Sequence, residues 1–182
     1  MLSNARKPVL GFAAFSGTGK TTLLTALLPV LIARGLRVGM IKHAHHNFDI
    51  DHPGKDSHAL RKAGAEQMLI ASRRRWALMA ETPERHGEPA LDELLARLDQ
   101  EVLDLVLVEG FKHERFPKIE LHRPRLNKPL LCLEDTSIIA LASDGPLPSP
   151  VPVPILDLNA PEAIGEFIAR HLGLDSPPGD SA

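Results

Sequence analysis

Hydrophobic positions along the chain follow two periodicities. Residues 8–15 form a continuous apolar run closed by a turn, which is typical of a buried parallel strand. Residues 20–34 carry leucines at helical spacing, and Gly35 follows as the expected C-cap. Pro29 falls inside this pattern and predicts a kink or a loosened turn. The chain therefore opens with a strand, a Gly-rich turn and a helix.

The same two patterns predict the remaining elements. Strands are expected at 37–43, 66–72, 75–81, 103–109, 117–122, 137–142 and 155–158, and helices at 56–64, 89–98 and 160–172. Asp56 and Asn159 are the expected N-caps of two of these helices, and Pro161 suits a first turn. Strands that alternate with helices indicate an α/β fold with a mostly parallel sheet.

The two short strands within 66–81 are close enough in sequence to form a hairpin. This hairpin predicts either a partly mixed sheet or a projecting β-hairpin beside the main sheet. It would expose Ile70, Trp76, Leu78 and Met79, which is more apolar surface than a free ribbon tolerates. We therefore expect a dimer interface there or nearby.

Composition narrows the class of protein. The 182 residues suit one domain, expected at 1–174, and the formal net charge of −2 argues against general nucleic-acid binding. No apolar run has the length of a membrane span, and the N-terminus lacks the apolar stretch of a secretory signal. We expect a cytoplasmic protein that binds no membrane and has a disordered tail at 175–182. The one cysteine, Cys132, is expected in a core strand.

The Gly-rich turn after the first strand has the chemistry of a phosphate-binding loop. The usual pattern begins with glycine, where this chain has Ala14, and then runs to Gly19, Lys20 and Thr21. Glycines allow positive φ, and backbone N–H groups at a helix N-terminus attract anions. Lys20 would reach the β and γ phosphates, and Thr21 would ligate Mg²⁺. The predicted nucleotide-binding residues are Ser16, Gly17, Thr18, Gly19, Lys20, Thr21 and Thr22.

A later strand, at 103–109, is expected to bring a metal ligand to the same edge of the sheet. The apolar run 103–109 ends in Glu109, which is predicted to hold Mg²⁺ directly or through water. Gly110 allows the backbone to approach the γ phosphate. Asp104 begins the same strand and is expected at the opposite edge.

The loop after the second strand is dense in ionisable groups. Lys42, His43 and Lys55 have the charge to contact a triphosphate or a second anionic ligand. Asp49, Asp51 and Asp56 are candidates to position Mg²⁺ or a water molecule.

Two other interpretations of this loop stay open. His43, His45 and His46 have the ligand type of a zinc or nickel site. No cysteine accompanies them, however, and successive residues of a strand point to opposite faces. A polar surface loop without chemistry is the second interpretation.

Three segments together resemble one family. They are Phe-Ser-Gly-Thr-Gly-Lys-Thr-Thr-Leu at 15–23, Lys-His-x-His-His through Pro-Gly-Lys-Asp-Ser at 42–57, and Val-Glu-Gly-Phe-Lys at 108–112. Shorter matches lie at 61–65, 75–78 and 142–144. On these segments the chain resembles the molybdopterin-guanine dinucleotide biosynthesis protein B (MobB) family over most of its length.

The resemblance implies a three-layer P-loop NTPase fold and a GTP-binding protein with weak, Mg²⁺-dependent GTPase activity. The family forms homodimers and assists the MobA nucleotidyltransferase, which joins GMP from GTP to molybdopterin. Molybdopterin and the proteins that handle it are then the expected partners. In this setting Lys20 holds phosphate, and Asp51 or Asp56 orients the attacking water.

Two places in the sequence are candidates for reading the guanine base. Asn127-Lys128-Pro129-Leu130 begins like the common Asn-Lys-x-Asp motif but lacks its aspartate. Asp144, with Ser143 beside it, follows a predicted strand and has a carboxylate that would accept from guanine N1 and N2. A turn-forming role before Gly145 explains Asp144 equally well.

Two alternatives to an accessory GTPase share the phosphate loop. A small-molecule kinase would need an acceptor pocket with a base and an Arg-rich lid, for which 73–75 is the lid-like run. A metallochaperone NTPase would deliver an ion through His43, His45 and His46.

Overall fold

The computed structural model divides the chain into two compact units. The first unit comprises 1–43 with 90–182, and the second comprises 44–89. The residues that the structure describes are 2–44, 48–82 and 87–174. The tail 175–182, which is expected to be disordered, lies outside them.

Every predicted strand and helix is present, although the third helix is shorter than expected. In chain order the elements are β1 Val9–Ala13, α1 Lys20–Ala33, β2 Val38–Lys42, α2 Asp56–Lys62, β3 Gln67–Ala71, β4 Trp76–Ala80, α3 Leu91–Leu95, β5 Leu105–Glu109, β6 Lys118–His122, β7 Ile138–Ser143, β8 Ile155–Asp157 and α4 Pro161–His171.

The first unit is built on a six-stranded sheet with the order β2-β5-β1-β6-β7-β8. Neighbouring strands pair in parallel throughout this sheet. The hairpin β3–β4 pairs antiparallel as a separate two-stranded sheet. Of the two predicted arrangements, a partly mixed sheet is therefore wrong, because the hairpin contributes no strand to the main sheet.

Apolar side chains cover both faces of the six-stranded sheet. Val106 and Leu107 are successive residues of β5, so their side chains point to opposite faces. Leu107 shares a buried cluster with Leu27 of α1 and Ile168 of α4. Val106 belongs to a second cluster that includes Leu91 of α3. Helices thus lie on both sides of the sheet, which confirms the three-layer α/β fold.

The third helix ends early, and a side chain from beyond the helix donates to its last carbonyl group. We expect a helix over 89–98, whereas α3 covers only Leu91–Leu95. The buried Gln100 side chain donates to the Leu95 carbonyl at 2.7 Å and to the Asn4 carbonyl at 2.9 Å. Residues 96–98 form a turn and a bend, and a turn of 3₁₀ helix follows at 100–102.

Both predicted N-caps are wrong by one residue. The N-cap of α2 is Lys55, and Asp56 is the first helical residue, where its charge faces the positive end of the helix dipole. The N-cap of α4 is Ala160, followed by Pro161 in the first turn. Asn159 instead lies in a turn, in which its N–H donates to the Asp157 carboxylate at 2.8 Å.

Cys132 is buried, as expected of a small apolar residue, but it is not in a strand. It lies in a 3₁₀ turn whose N–H groups at Leu131 and Cys132 both donate to the buried Glu120 carboxylate at 2.8 Å. Burial and the neighbouring Glu120 raise the pKa of the Cys132 thiol to about 11. The thiol therefore stays protonated and packs as part of the core near Leu130.

The hairpin of the second unit exposes apolar side chains along β3 and β4. Trp76 is 65% exposed, and Leu78 and Ile70 are also exposed. Met79, which is predicted to be exposed with them, is buried at 8%. Throughout the part of the chain that the structure describes, no helix combines the length and the apolar character needed to cross a membrane.

A salt bridge lies at the end of the main sheet where β2 and β5 begin, opposite the carboxyl ends of the strands. Arg37 donates to the Asp104 carboxylate through its backbone N–H, its Nε and its Nη2 at 2.8, 3.0 and 2.9 Å. These hydrogen bonds from Arg37 lower the pKa of Asp104 from 3.8 to about 2. The position confirms that Asp104 lies away from the predicted phosphate loop.

Because the folded pKa of Asp104 lies below the unfolded value, its ionised form stabilises the fold. This stabilisation is complete above pH 3.8 and is lost as the pH falls from there through about 2. The Asp104 side chain is 27% exposed, so we expect a loss of only about 1–2 kcal/mol in unfolding free energy. Asp104→Asn removes this component, and chemical denaturation between pH 5 and 2 measures it.

Glu101→Gln is the matched control, because Glu101 forms an ion pair with Arg6 in which both side chains are more than 70% exposed. We expect its acid dependence to follow that of the unmodified protein. An Asp104→Asn variant that keeps the full acid dependence would contradict this account of the sheet edge.

Candidate functional site

The predicted phosphate loop joins the end of β1 to the start of α1. Gly17 and Gly19 have φ values of 79° and 96°, in the region that favours glycine. Gly19 is the N-cap of α1, and no side chain caps the helix there. Since the first N–H groups of a helix have no intrahelical acceptor, the first turn of α1 presents them as anion donors.

Two side chains fold back onto the loop and fix its shape. The Thr18 hydroxyl donates to the Phe15 carbonyl at 2.7 Å, and the Thr18 N–H donates to the same oxygen at 3.3 Å. The Lys20 ammonium donates to the Ala14 carbonyl at 3.2 Å. Ala14 is partly buried and packs against the core of the unit. A small side chain at position 14 thus fits where glycine is usual.

A cavity of about 370 Å³ opens beside the loop. Its lining residues are Ser16, Gly17, Gly19, Lys20, Thr21, Thr22 and Glu109. The structure thus brings the predicted metal ligands Thr21 and Glu109 to the same cavity as the predicted phosphate ligands. Thr18 is the exception, because its side chain is buried and turned toward Phe15.

Glu109 reaches this cavity because β5 is the neighbour of β1 in the sheet. On its other side β5 pairs with β2, which aligns Glu109 with Lys42. The Lys42 ammonium lies 3.5 Å from Glu109 Oε2, and the Glu109 side chain is 13% exposed. The carboxylate is thus mostly buried and forms an ion pair with Lys42.

The donor set of this cavity fits Mg²⁺. The Thr21 hydroxyl and the Glu109 carboxylate are hard oxygen ligands that line the same space. Protein sites usually bind Mg²⁺ through one or two carboxylates together with substrate phosphates, without a complete protein cage. Among the described residues there is no group of three or more His, Cys, Asp or Glu that could hold a metal ion.

The segment after β5 has little room for side chains. Gly110 has a φ of 103°, and a Cβ atom placed there would lie 2.6 Å from the Cβ of His43. Phe111 also has a positive φ, at 52°, and its ring stacks on the His43 ring with centroids 4.8 Å apart. The predicted site residue His43 is therefore held by ring packing against this segment.

Arg123 belongs to the site and is not among the predicted residues. It directly follows β6, and its Nε donates to the Thr18 carbonyl at 2.7 Å. Its Nη1 donates to the carboxylate of Asp144, which directly follows β7. The position of Arg123 in the sequence indicates this role, since a charged residue that follows a buried parallel strand lies at the same end of the sheet as the predicted phosphate loop.

The turn that carries Asp144 is fixed by Ser143. The Ser143 hydroxyl donates to the Gly145 carbonyl at 2.9 Å and accepts from the Gly145 N–H at 3.4 Å. The predicted turn-forming role before Gly145 thus belongs to the Ser143 side chain. The Asp144 carboxylate faces Arg123 instead.

Asp51, Lys55 and Asp56 lie in the second unit. The Asp51 side chain is 8% exposed, accepts from the Ser57 hydroxyl at 3.1 Å and lies 3.7 Å from the Arg61 guanidinium. The roles expected for these three residues at a nucleotide or a water stay predictions. His45 and His46, which the metal-site interpretation requires, lie outside the described residues.

Arg61 forms ion pairs with acidic residues of the second unit. Its side chain, 9% exposed, donates to Asp49 at 2.6 Å and to Glu81 at 2.8 Å. The hydrogen bond from Arg61 lowers the pKa of Asp49. One cation therefore ties the loop before α2 to the residue that follows β4.

Comparison with known proteins identifies the family. A protein-family model described as "Molybdopterin guanine dinucleotide synthesis protein B", or MobB, matches residues 9–144. The chain belongs to the MobB family. The matched region contains all three segments on which the resemblance was based, so that expectation is confirmed.

MobB relatives resemble this chain over nearly its whole length. One from Escherichia coli (strain K12), named molybdopterin-guanine dinucleotide biosynthesis adapter protein, is 53% identical over 91% of this chain and 93% of its own. Another of the same name, from Haemophilus influenzae (strain ATCC 51907 / DSM 11121 / KW20 / Rd), is 46% identical over 93% and 92%.

Solved MobB structures share the fold. The crystal structure of a molybdopterin-guanine biosynthesis protein B has a TM-score of 0.71 at 29% identity and covers 91% of this chain and 99% of its own. A MobB homologue from Bacillus stearothermophilus has a TM-score of 0.65 at 25% identity, with 91% and 98% covered.

In this MobB protein, Gly110→Ala is expected to lower the unfolding free energy by about 1–3 kcal/mol, because a side chain at positive φ is strained and here meets His43. Thermal or chemical unfolding measures the effect. Gly145→Ala is the control, since its added Cβ would make an ordinary contact 3.6 Å from Pro124. Equal stability of the two variants would contradict the tight packing after β5.

Proposed function

We propose that this protein is a GTP-binding accessory protein of molybdenum cofactor biosynthesis, which assists the attachment of GMP to molybdopterin. The observation that carries the proposal is the cavity at the start of α1, where Lys20, Thr21 and Glu109 meet. The names of the relatives, adapter proteins of molybdopterin-guanine dinucleotide biosynthesis, supply the pathway.

Each group at the cavity has a role in this proposal. The N–H groups of the loop and the first turn of α1 donate to phosphate oxygens, and Lys20 exchanges the Ala14 carbonyl for the β and γ phosphates. Thr21 and Glu109 hold Mg²⁺, which neutralises charge on the phosphates when bound. Lys42 balances the charge of Glu109.

Hydrolysis is slow in this proposal. Among the described residues that line the cavity, Glu109 is the one with a carboxylate. In this proposal that carboxylate binds the metal and pairs with Lys42. A carboxylate used in this way is poorly placed to accept a proton from water. We therefore propose weak, Mg²⁺-dependent GTPase activity, with the protein acting mainly as an adaptor.

The proposal extends to partners and compartment. A MobA-type nucleotidyltransferase and molybdopterin-handling proteins are the proposed partners, and the cytoplasm is the proposed compartment. The names of the relatives support a place in this biosynthesis. We also propose that the protein is a homodimer, on the basis of the exposed apolar hairpin.

Lys20→Ala is expected to weaken GTP binding by about 10- to 150-fold, the value of a charged hydrogen bond. Isothermal titration calorimetry with Mg²⁺ measures the dissociation constant. Lys7→Ala is the control, because Lys7 precedes β1 and so belongs to the opposite sheet edge. Absence of saturable GTP binding in the unmodified protein would refute the proposal, and nucleotide turnover that depends on a small acceptor would favour a kinase.

Light scattering at micromolar concentration is expected to give twice the chain mass of 19.8 kDa. Trp76→Glu is expected to give the monomer mass, because it places a charge on a side chain that is 65% exposed in the apolar hairpin. Leu133→Glu, on an apolar residue of the first unit that is 55% exposed, is the control and stays a dimer. A monomeric unmodified protein would rule out this dimer.

A further inference from the structure

One guanidinium joins the two loops on either side of β6. In the sheet, β6 lies between β1 and β7. Arg123, directly after β6, donates to Thr18 in the loop after β1 and to Asp144 in the loop after β7. It thus connects the loop proposed to hold phosphates with the carboxylate that is the candidate reader of the base.

The connection is largely shielded from solvent. The Arg123 and Asp144 side chains are 19% and 18% exposed. A carboxylate at this depth needs a partner, since leaving a buried charge unpaired is unfavourable. Arg123 supplies that partner and also fixes its direction, because the planar guanidinium donates along set directions whereas an ammonium does not.

Arg123 also lies against the phosphate loop at the residue where α1 begins. A Cβ atom built on Gly19 would be 3.3 Å from Arg123 Nη2. Gly19 lines the cavity proposed for the phosphates. The guanidinium therefore lies close to the loop as well as to Asp144.

We infer that Arg123 is a positioning residue that aims the Asp144 carboxylate at the guanine base and so sets base selectivity. Guanine presents two donors, N1–H and the 2-amino group, that one carboxylate is able to accept together. Each carboxylate oxygen has two acceptor sites, so Asp144 accepts from Arg123 and from guanine at the same time. This inference rests on the proposed function.

Base analogues separate this role from a phosphate contact or a purely structural role. Hypoxanthine, the base of ITP, keeps N1–H but lacks the 2-amino group. Adenine has an acceptor at N1, which faces the carboxylate unfavourably. A positioning role therefore changes the ratio of affinities for GTP and ITP, whereas a phosphate contact weakens GTP, ITP and ATP equally.

The experiment measures GTP, ITP and ATP dissociation constants by calorimetry with Mg²⁺ on the full chain. We expect the unmodified protein to prefer GTP over ITP by about 10-fold or more, the value of a hydrogen bond to a charged acceptor. Arg123→Gln is expected to reduce this preference to about 3-fold or less. Arg123→Lys changes it in the same direction, because lysine keeps the charge but loses the fork.

Two further variants complete the design. Arg125→Gln is the matched control, because Arg125 is exposed on the 3₁₀ turn just after Arg123 and is expected to leave the GTP-to-ITP ratio unchanged. Asp144→Asn is expected to remove the preference. Adding Arg123→Gln to Asp144→Asn is then expected to cause no further loss of selectivity, because both act through the same carboxylate.

Several results would overturn the inference. An unchanged GTP-to-ITP ratio in Arg123→Gln, or an equal loss for all three nucleotides, assigns Arg123 to structure or to phosphate. A wild-type protein that binds GTP and ITP equally removes Asp144 as the base reader while leaving the phosphate site intact. No nucleotide binding at all refutes the proposed function itself, and unfolding curves of each variant identify any loss that comes from misfolding.

Discussion

Parallel pairing of β5, β1, β6 and β7 is the constraint on which the candidate site depends. In a parallel sheet the carboxyl ends of all strands reach one edge, so the loops that follow them are neighbours regardless of their distance in sequence. The predicted phosphate loop, Arg123 and Asp144 directly follow strands of this kind, and Glu109 is the last residue of β5. β1 and β5 are apolar and buried until Glu109 ends β5, whereas β6 carries the buried polar side chains of Lys118, Glu120 and His122 within the strand.

Charge pairing at this edge explains why Lys20 is suited to an anionic ligand. Lys42 pairs with Glu109, and Arg123 pairs with Asp144, so both carboxylates have a cation beside them. The hydrogen-bond partner of Lys20 is a carbonyl oxygen, that of Ala14. An ammonium on a neutral acceptor keeps its full charge for a phosphate, which replaces the weaker contact with a charge-assisted one.

Local sequence patterns predicted the strands, the phosphate loop and Glu109, because each depends on a continuous apolar run and on the residue that ends it. Arg123 was missed because its role depends on strand order: β6 lies between β1 and β7, and no local pattern specifies that order. The early end of α3 also involves a contact distant in sequence, since the Gln100 side chain that reaches the Leu95 carbonyl donates to the Asn4 carbonyl as well. Leucine spacing alone favours the extra turn, and such spacing does not indicate a side-chain hydrogen bond.

In the second unit, Asp51 lies within a group of charged side chains that holds its loop. Its carboxylate is 8% exposed, accepts from Ser57 and lies beside Arg61, which also binds Asp49 and Glu81. Replacing Arg61 would remove the guanidinium that lies beside all three carboxylates and would leave their like charges without it. Asp51 is thus part of the structural link between the loop before α2 and the end of β4. This use of the carboxylate accords with the slow hydrolysis that we propose.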